Sequence, residues 1–509
     1  MNHCPCQSNK RWSVDATEAF FACILLFFSL SLIQVSYSKE CMIVLFCLAM
    51  AFIVLIRPVF GVYLFILLYP LDSIYLFVDT SESVKIRLYF ETVLATLFLL
   101  IMVVRKLSER HRCRAYGTPF RSFPVQWIWF ILAIFMVWSL FAVYRSEYFT
   151  HSLLGWWRFI ACFIVMMFMV LYLDGYDKIV KILIFYCCVS VVYALSAIVA
   201  THYVFDVKYE LFEMVGRGIS IEASLFNSSG GAMKQHAGMI TGIGLSNKHE
   251  LSMLLMSGIF FCIFLMKVYR SVPMRCVFAV FLLLYITIIY QVFSRLSIAG
   301  MFLVVIFLCM AVPSWRKLTV WVLLALIAVN LAGFGGSQLI RPAHMKNMES
   351  TKKKIESVTS KSEFAPSSFA GRKHIWKKTI ARIVRYGGLG TGPDSLKADM
   401  TFISVTGHNL FLTLTAEYGL PGSILVFIFF MIIACSSYKF VFVHPAAENR
   451  LWLLKAVCVG AVLHALFEYS FDLPISQKQL WFMLGLLMAA ISIAEKDKGL
   501  ILNRNLNQK

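Results

Sequence analysis

Residues 371–422 read GRKHIWKKTIARIVRYGGLGTGPDSLKADMTFISVTGHNLFLTLTAEYGLPG. The first part of this stretch is basic, and its large apolar residues recur at the spacing of one helix face: Ile375, Trp376, Ile380 and Ile383. A glycine-rich turn follows at 387–395, and His408 and Asn409 then open an apolar helix. Together these features predict a polar site at the surface of a membrane.

The composition requires a membrane around the rest of the chain. Of the 509 residues, 60% are hydrophobic and only 15% are charged, which is more apolar surface than one soluble core can bury. Apolar runs of roughly 17–25 residues recur along the chain, and at 1.5 Å per residue such runs cross about 30 Å of hydrocarbon. We predict spans near 16–37, 41–56, 58–78, 88–104, 124–144, 153–173, 179–200, 246–266, 276–292, 296–312, 318–334, 408–434, 451–469 and 477–494. The predicted fold is all-α, a polytopic integral membrane helical bundle of about 12–14 transmembrane helices.

The positions of lysine and arginine predict the orientation of this bundle. The net charge is +20, but no soluble basic domain with a nucleic-acid-binding motif accompanies it, so nucleic acid is not an expected partner. If the spans alternate, the short basic loops such as 105–121 fall on one side with both termini, and the positive-inside rule makes that side the cytoplasm. The two long connections then lie together on the periplasmic face.

This topology divides the chain into six parts. They are N-terminal transmembrane helices at 1–200, a periplasmic loop at 201–245, central transmembrane helices at 246–334, a large basic periplasmic loop with helices at 335–407, C-terminal transmembrane helices at 408–495 and a cytoplasmic tail at 496–509. The first span lacks a signal-peptide cleavage site behind it, so we expect it to be retained.

The fourteen cysteines predict neither a disulfide scaffold nor a metal centre. Most lie inside apolar runs, where cysteine acts as a small hydrophobic residue. Cys4, Cys6 and Cys113 lie in basic segments without a partnering C-x-x-C motif. We therefore expect no metal.

Four motifs in the opening stretch follow one another in a recognisable order. They are G-R-x3-W at 371–376, G-x-G-x-G-P at 388–393, H-N-x2-L at 408–412 and E-Y-G-L-P-G at 417–422. This order resembles the C-terminal signature of the O-antigen ligase and O-antigen polymerase superfamily, and the resemblance extends back to about Arg217. It implies a metal-independent, inverting membrane glycosyltransferase without a cofactor, which transfers a glycan from a polyprenyl-pyrophosphate carrier to a sugar hydroxyl at the periplasmic face of the bacterial inner membrane.

His408 is the candidate catalytic residue. A neutral imidazole near pH 7 can accept a proton from a hydroxyl nucleophile, although a histidine of this kind can equally cap a helix or lie at the interface. The resemblance implies that His408 is the general base, with Asn409 and Glu417 in supporting roles. Glu417 could orient His408 or serve as a structural carboxylate. The proline and glycines that follow it predict a break in the helix.

Arg295 is the first candidate for binding the pyrophosphate. It stands between two apolar runs, where an arginine is costly unless something negative meets it. A guanidinium group matches phosphate oxygens with two parallel hydrogen bonds. The alternative is an arginine that snorkels to lipid head groups.

A second phosphate-binding residue is expected on the same face. Arg217, Lys234 and Lys248 can each fill this position, and the resemblance points to Arg217, with Asn247 supporting it at the start of a span. The alternative for Arg217 is a loop arginine in solvent. Arg372 precedes the apolar face of the basic segment, and it could bind either the substrate or anionic head groups.

The motifs do not separate ligase from polymerase. A ligase would use lipid A-core as its acceptor and a polymerase a second lipid-linked glycan. The basic outer loop favours the ligase, because it suits a phosphorylated core acceptor. The competing class is a transporter of polysaccharide or glycolipid, which should carry charges near span centres or duplicated broken helices.

Overall fold

The computed structural model describes a bundle of long helices and a small sheet. The described residues are 54, 58–70, 74–81, 84–89, 94–102, 123–173, 175–202, 208–213, 219–224, 248–269, 271–292, 301, 320, 324, 369–398, 409–441 and 474–506. Their helices are α1 (Pro58–Leu68), α2 (Phe123–Tyr144), α3 (Phe149–Tyr172), α4 (Tyr176–His202), α5 (Lys248–Val268), α6 (Val272–Val292), α7 (Phe369–Arg385), α8 (Ser395–Ala398), α9 (Leu410–Val441) and α10 (Pro474–Leu506). Residues 94–102 are also helical. The strands are β1 (Ile74–Ser81), β2 (Val84–Tyr89), β3 (Lys208–Glu213) and β4 (Ile219–Ser224).

The prediction of a polytopic membrane helical bundle is confirmed. Within the described part of the chain, six helices are long and apolar enough to cross a membrane, namely α2, α3, α4, α5, α6 and α9. The apolar stretch of each that could cross the membrane coincides with a predicted span to within about four residues at either end. A helix satisfies every internal backbone group by itself, which is why an apolar run of this length forms a helix in lipid. The predicted outer loop at 335–407 contains the helices α7 and α8.

The predicted span at 58–78 is wrong in its second half. The helix α1 ends at Leu68, and the chain is extended again from Ile74 as β1. Pro70 explains the end, because a proline disfavours helical dihedrals in the residue before it and lacks a backbone donor. The β-branched and aromatic residues that follow favour a strand.

Two hairpins distant in the sequence form one antiparallel sheet, in the order β2-β1-β4-β3. β1 pairs with β4 from Ile74 opposite Ala223 to Val78 opposite Ile219. This pairing joins the connection after α1 to the loop after α4, as expected if both connections leave the bundle on the same side. The all-α prediction describes the membrane bundle but omits this sheet.

The helix α5 lies at the centre of the bundle. All of its residues from Leu251 to Leu265 are buried, including the large side chains of Phe260 and Phe261. It packs against α4, α6 and α10, while α3 packs along α10. A helix that is apolar on every side is expected to be surrounded by other helices.

Gln479 on α10 connects three helices through hydrogen bonds. Its Nε2, which carries two N–H donors, lies within hydrogen-bond distance of three acceptors: the hydroxyl of Tyr186 (3.0 Å), the carbonyl of Met253 (2.8 Å) and Oγ of Ser257 (2.8 Å). Tyr186 in turn donates to the carbonyl of Leu254 (3.1 Å). These polar groups are buried and bonded to one another, so they specify how α10 packs on α4 and α5.

Gln479→Leu should therefore destabilise the bundle by about 0.6–1.7 kcal/mol, which runs from the average to the maximum measured for a hydrogen bond between membrane helices. Thermal unfolding of the purified protein in detergent measures the effect. The matched control is Gln477→Leu, which changes a half-buried glutamine two positions earlier on the same helix. Equal midpoints for the two variants would contradict a special role for Gln479.

Candidate active site

The helix α9 is broken where the E-Y-G-L-P-G motif predicts a break. Gly419 has φ 77° and ψ 172° in the middle of the helix, and Pro421 follows two residues later. Pro421 has no backbone N–H, and its ring conflicts with the carbonyl four residues earlier, which is that of Glu417. The break leaves backbone groups inside the protein that need other partners.

The glycine-rich turn and one tryptophan supply these partners. Three carbonyls at the break accept hydrogen bonds from outside α9: Ala416 O from Thr391 N (3.0 Å), Glu417 O from Gly392 N (2.9 Å) and Tyr418 O from Trp138 Nε1 (2.6 Å). In the reverse direction, the N–H of Leu420 donates to the carbonyl of Gly388 (2.7 Å). The break and the turn therefore form one hydrogen-bonded unit, which we call the turn–break unit (residues 388–392 and 416–420).

The turn–break unit requires glycine where its two backbones meet. Gly390 has φ 85°, and a Cβ there would lie 2.5 Å from the backbone nitrogen of Gly419. A Cβ on Gly419 would lie 2.6 Å from the carbonyl carbon of Leu389. Only glycine permits both this dihedral and this approach. The second and fourth motifs are thus two halves of one structure.

The other side of the turn lies against the start of α3. The hydroxyls of Ser146 and Ser152 are 2.6 Å apart and buried, and a Cβ on Gly392 would collide with Ser152 Oγ. The guanidinium of Arg158 forms an ion pair with the carboxylate of Asp394. The turn is therefore held between two membrane helices, α3 and α9.

The helix α7 leads into this turn with one face against the protein. Ile375, Thr379 and Arg382 are buried on that face, and α7 packs on α9. The exposed side carries both charge and apolar surface: Lys373, Lys377, Ile380, Val384 and Arg385. A helix with this division is suited to a membrane surface.

Tyr386 fastens the end of α7 to the connection between α2 and α3. Its hydroxyl donates to a carboxylate oxygen of Glu147 (2.7 Å). This hydrogen bond is the main cause that raises the pKa of Tyr386, with a smaller contribution from burial, while the nearby Arg382 and Arg385 lower it. The phenol therefore stays protonated and keeps donating to Glu147.

Asn409 caps the start of α9. Its Oδ1 accepts a hydrogen bond from the N–H of Leu412 (3.1 Å), and its carbonyl accepts one from Thr413 (2.9 Å). Asparagine is among the preferred residues at this position, since it satisfies a helix donor that would otherwise be unpaired. The asparagine of the H-N-x2-L motif thus has a structural role, and His408 immediately precedes this cap in the sequence.

The predicted site residues are only partly within the described residues. Glu417 is buried at the break, and Arg372 lies on the first turn of α7, although its side chain is not among those described. Lys248 begins α5. The remaining candidates lie outside the described residues: His408, Arg295, Arg217, Asn247 and Lys234.

Two arginines of the site were not singled out from the sequence. Arg158 lies on α3, beyond the start of a predicted span, and an ionisable residue in such a run is itself a signal of function. Arg382 is buried on α7, but it is one of many cations in a basic segment. Its burial depends on how α7 packs, which local spacing does not reveal.

Comparison with known proteins gives one family match. Residues 278–427 match the family model described as O-antigen ligase. The match contains the turn–break unit, together with Arg295, Arg372 and His408, whereas Arg217 and Asn247 precede it. No curated protein matches the chain.

Proposed function

We propose, on the premise that the 278–427 domain belongs to the O-antigen ligase superfamily, that this membrane glycosyltransferase uses a polyprenyl-pyrophosphate-linked glycan as its donor. The acceptor is a sugar hydroxyl, most directly that of lipid A-core. The reaction takes place at the periplasmic face of the bacterial inner membrane, with the lipid of the donor in the bilayer and its sugar outside.

The observation that carries this proposal is the turn–break unit inside the matched domain. Backbone hydrogen bonds hold α9 at Ala416, about two helical turns from the cap at Asn409. A helix start that is fixed at both points is a rigid base for a residue attached to it, as positioning of a catalytic group requires. His408 is that attached residue.

The chemistry assigned to the site is a single displacement. The acceptor oxygen forms a bond to the anomeric carbon while the bond from that carbon to the phosphate oxygen breaks, which inverts the configuration. His408 takes the proton of the acceptor hydroxyl. The electron pair of the broken bond goes to the polyprenyl pyrophosphate, whose added negative charge is met by Arg295, with Arg217 and Arg372 as further candidates. Fixed positive charges of this kind can stabilise the leaving group without a metal ion.

The charge of α7 supports a ligase over a polymerase. Lys373, Lys377 and Arg385 are exposed on this helix, beside the turn that follows it. A cationic surface attracts a phosphorylated oligosaccharide such as a lipid A-core. The alternative within the family is a polymerase for O-antigen, capsule or exopolysaccharide, which would add the glycan to a second lipid-linked chain.

Reconstitution tests the function directly. The purified protein in liposomes is given a polyprenyl-pyrophosphate-linked glycan in the presence of EDTA and without ATP, with and without core lipid. Product that requires core lipid supports the ligase, and product from the donor alone supports the polymerase. Movement of the donor across the bilayer without any product would contradict a glycosyltransferase and support a transporter.

Arg295→Ala should lower the rate in this assay by about 10²-fold, as loss of one charge-stabilising group does in other enzymes. The matched control is Arg275→Ala, which removes an arginine that donates to the carbonyl of Tyr269 at the predicted cytoplasmic end of α6. Equal rates for the two variants would contradict the role of Arg295.

A further inference from the structure

One face of α3 carries three residues that contact the glycine-rich turn. Ser152, Gly155 and Arg158 are three positions apart along the helix, so they lie in one row on its surface. Ser152 contacts Gly392, and Gly155 and Arg158 contact Asp394. The row runs from the buried serine pair to the partly exposed ion pair.

Asp394 fits this row only because position 155 is glycine. A Cβ at Gly155 would lie 2.7 Å from Oδ2 of Asp394, so the carboxylate rests on bare helix backbone. Asp394 itself has φ 56°, a left-handed conformation that non-glycine residues adopt rarely. Such a conformation persists where the surroundings hold it in place. Here the guanidinium of Arg158 is part of those surroundings.

The ion pair is partly withdrawn from solvent. The side chain of Arg158 is 28% exposed and that of Asp394 is 15% exposed. Removal of one partner from such a site takes away the charge compensation that the ion pair gives to the other, which costs more than the loss of a surface ion pair. The turn would then lose this electrostatic contact with α3.

We propose that Arg158 is a positioning residue, whose ion pair with Asp394 holds the glycine-rich turn and, through the turn, the start of α9 in the geometry that transfer requires. The connection runs from Asp394 to Gly392, whose N–H bonds Glu417 O, and along α9 to the cap at Asn409. This inference rests on the proposed function. It assigns a role to a part of the chain that precedes the matched domain.

The pair should act on the rate of the bound complex more than on donor binding. The assigned pyrophosphate ligands do not include Arg158, so its loss leaves their charges in place. A displacement of a catalytic group by about 1 Å can cost as much as 10²-fold in rate. We expect Arg158→Ala and Asp394→Asn each to lower kcat at least about tenfold, with KM for the donor changed less than about threefold.

The test measures kcat, KM and thermal stability for both single variants, for the double variant and for Arg158→Lys. If the two residues act through their ion pair, the double variant is no slower than the slower single variant, and Arg158→Lys recovers part of kcat. Arg145→Ala is the matched control, because Arg145 is an exposed arginine in the connection just before α3, where it contacts the ring of Phe141.

The outcomes separate this inference from the proposed function. If the wild type produces no glycosylated product, the function fails. If the wild type is active and Arg158→Ala behaves as Arg145→Ala does, the positioning role fails. Should Arg158→Ala not fold, Asp394→Asn and Arg158→Lys decide the question, and wild-type kcat in folded Asp394→Asn with only its melting temperature lowered would overturn the proposal.

Discussion

His408→Ala is expected to lower the rate of glycan transfer by about 10²–10⁴-fold, the usual contribution of a positioned general base. The physical reason is that alanine cannot accept the proton of the acceptor hydroxyl, so the nucleophile must attack as a neutral alcohol. The capped helix that follows does not depend on the imidazole, because its first donors are satisfied by Asn409. Folding and donor binding should therefore be retained. Single-turnover rates with saturating donor and acceptor measure the effect.

His151→Ala is the control for this prediction. His151 is an exposed histidine in the first turn of α3, on the same side of the bundle as the glycine-rich turn. Position 151 lies outside the matched residues 278–427, so its loss removes an imidazole from that face without changing the sequence of the matched domain. The rate should stay within about twofold of wild type, because exposed substitutions of this kind usually have small effects. If His408→Ala is as active as His151→Ala, then His408 is not the general base, and Glu417 is the next candidate for that role to test.

Several parts of the fold are predictable because their signals are local. The apolar run of α2 is long enough to span a membrane, and the structure has the helix at Phe123–Tyr144, close to the predicted 124–144. The break in α9 follows from glycine and proline dihedral preferences, since Gly419 and Pro421 lie two residues apart. A helix start is likewise predictable at Asn409, because the cap uses a residue only three positions from its donor.

The contacts that build the site are not predictable in this way. Arg158 and Asp394 are 236 positions apart, and no periodicity links residues at that distance. The local sequence of the glycine-rich turn does not indicate that it packs against α9, because this fit depends on the close approach of two backbone segments. The sheet was missed for a similar reason: β1 lies at the end of an apolar run, where mean hydropathy does not distinguish a strand from a membrane helix.

The second large effect is expected from Gly390→Ala. The added Cβ would lie 2.5 Å from the nitrogen of Gly419 and 2.6 Å from the carbonyl oxygen of Glu417. Both neighbours are backbone atoms, so no side-chain rotation relieves the collision. The turn would have to move away from α9 and lose hydrogen bonds of about 0.5–1.5 kcal/mol each, in addition to about 1–2 kcal/mol for alanine at φ 85°. A total of about 4 kcal/mol is a large part of the stability of a typical protein.

Gly387→Ala separates the collision from the dihedral. Gly387 also has a left-handed conformation, with φ 61°, but no heavy atom lies within 4 Å of the position its Cβ would take. This variant should therefore lose only the dihedral term of about 1–2 kcal/mol. Thermal unfolding in detergent and transfer rates for the two variants measure the difference. If Gly387→Ala and Gly390→Ala are equally stable and equally active, then the close contact between the turn and the broken helix does not hold the site together. If that contact is essential, a Cβ at position 390 must lower stability and activity more than a Cβ at position 387.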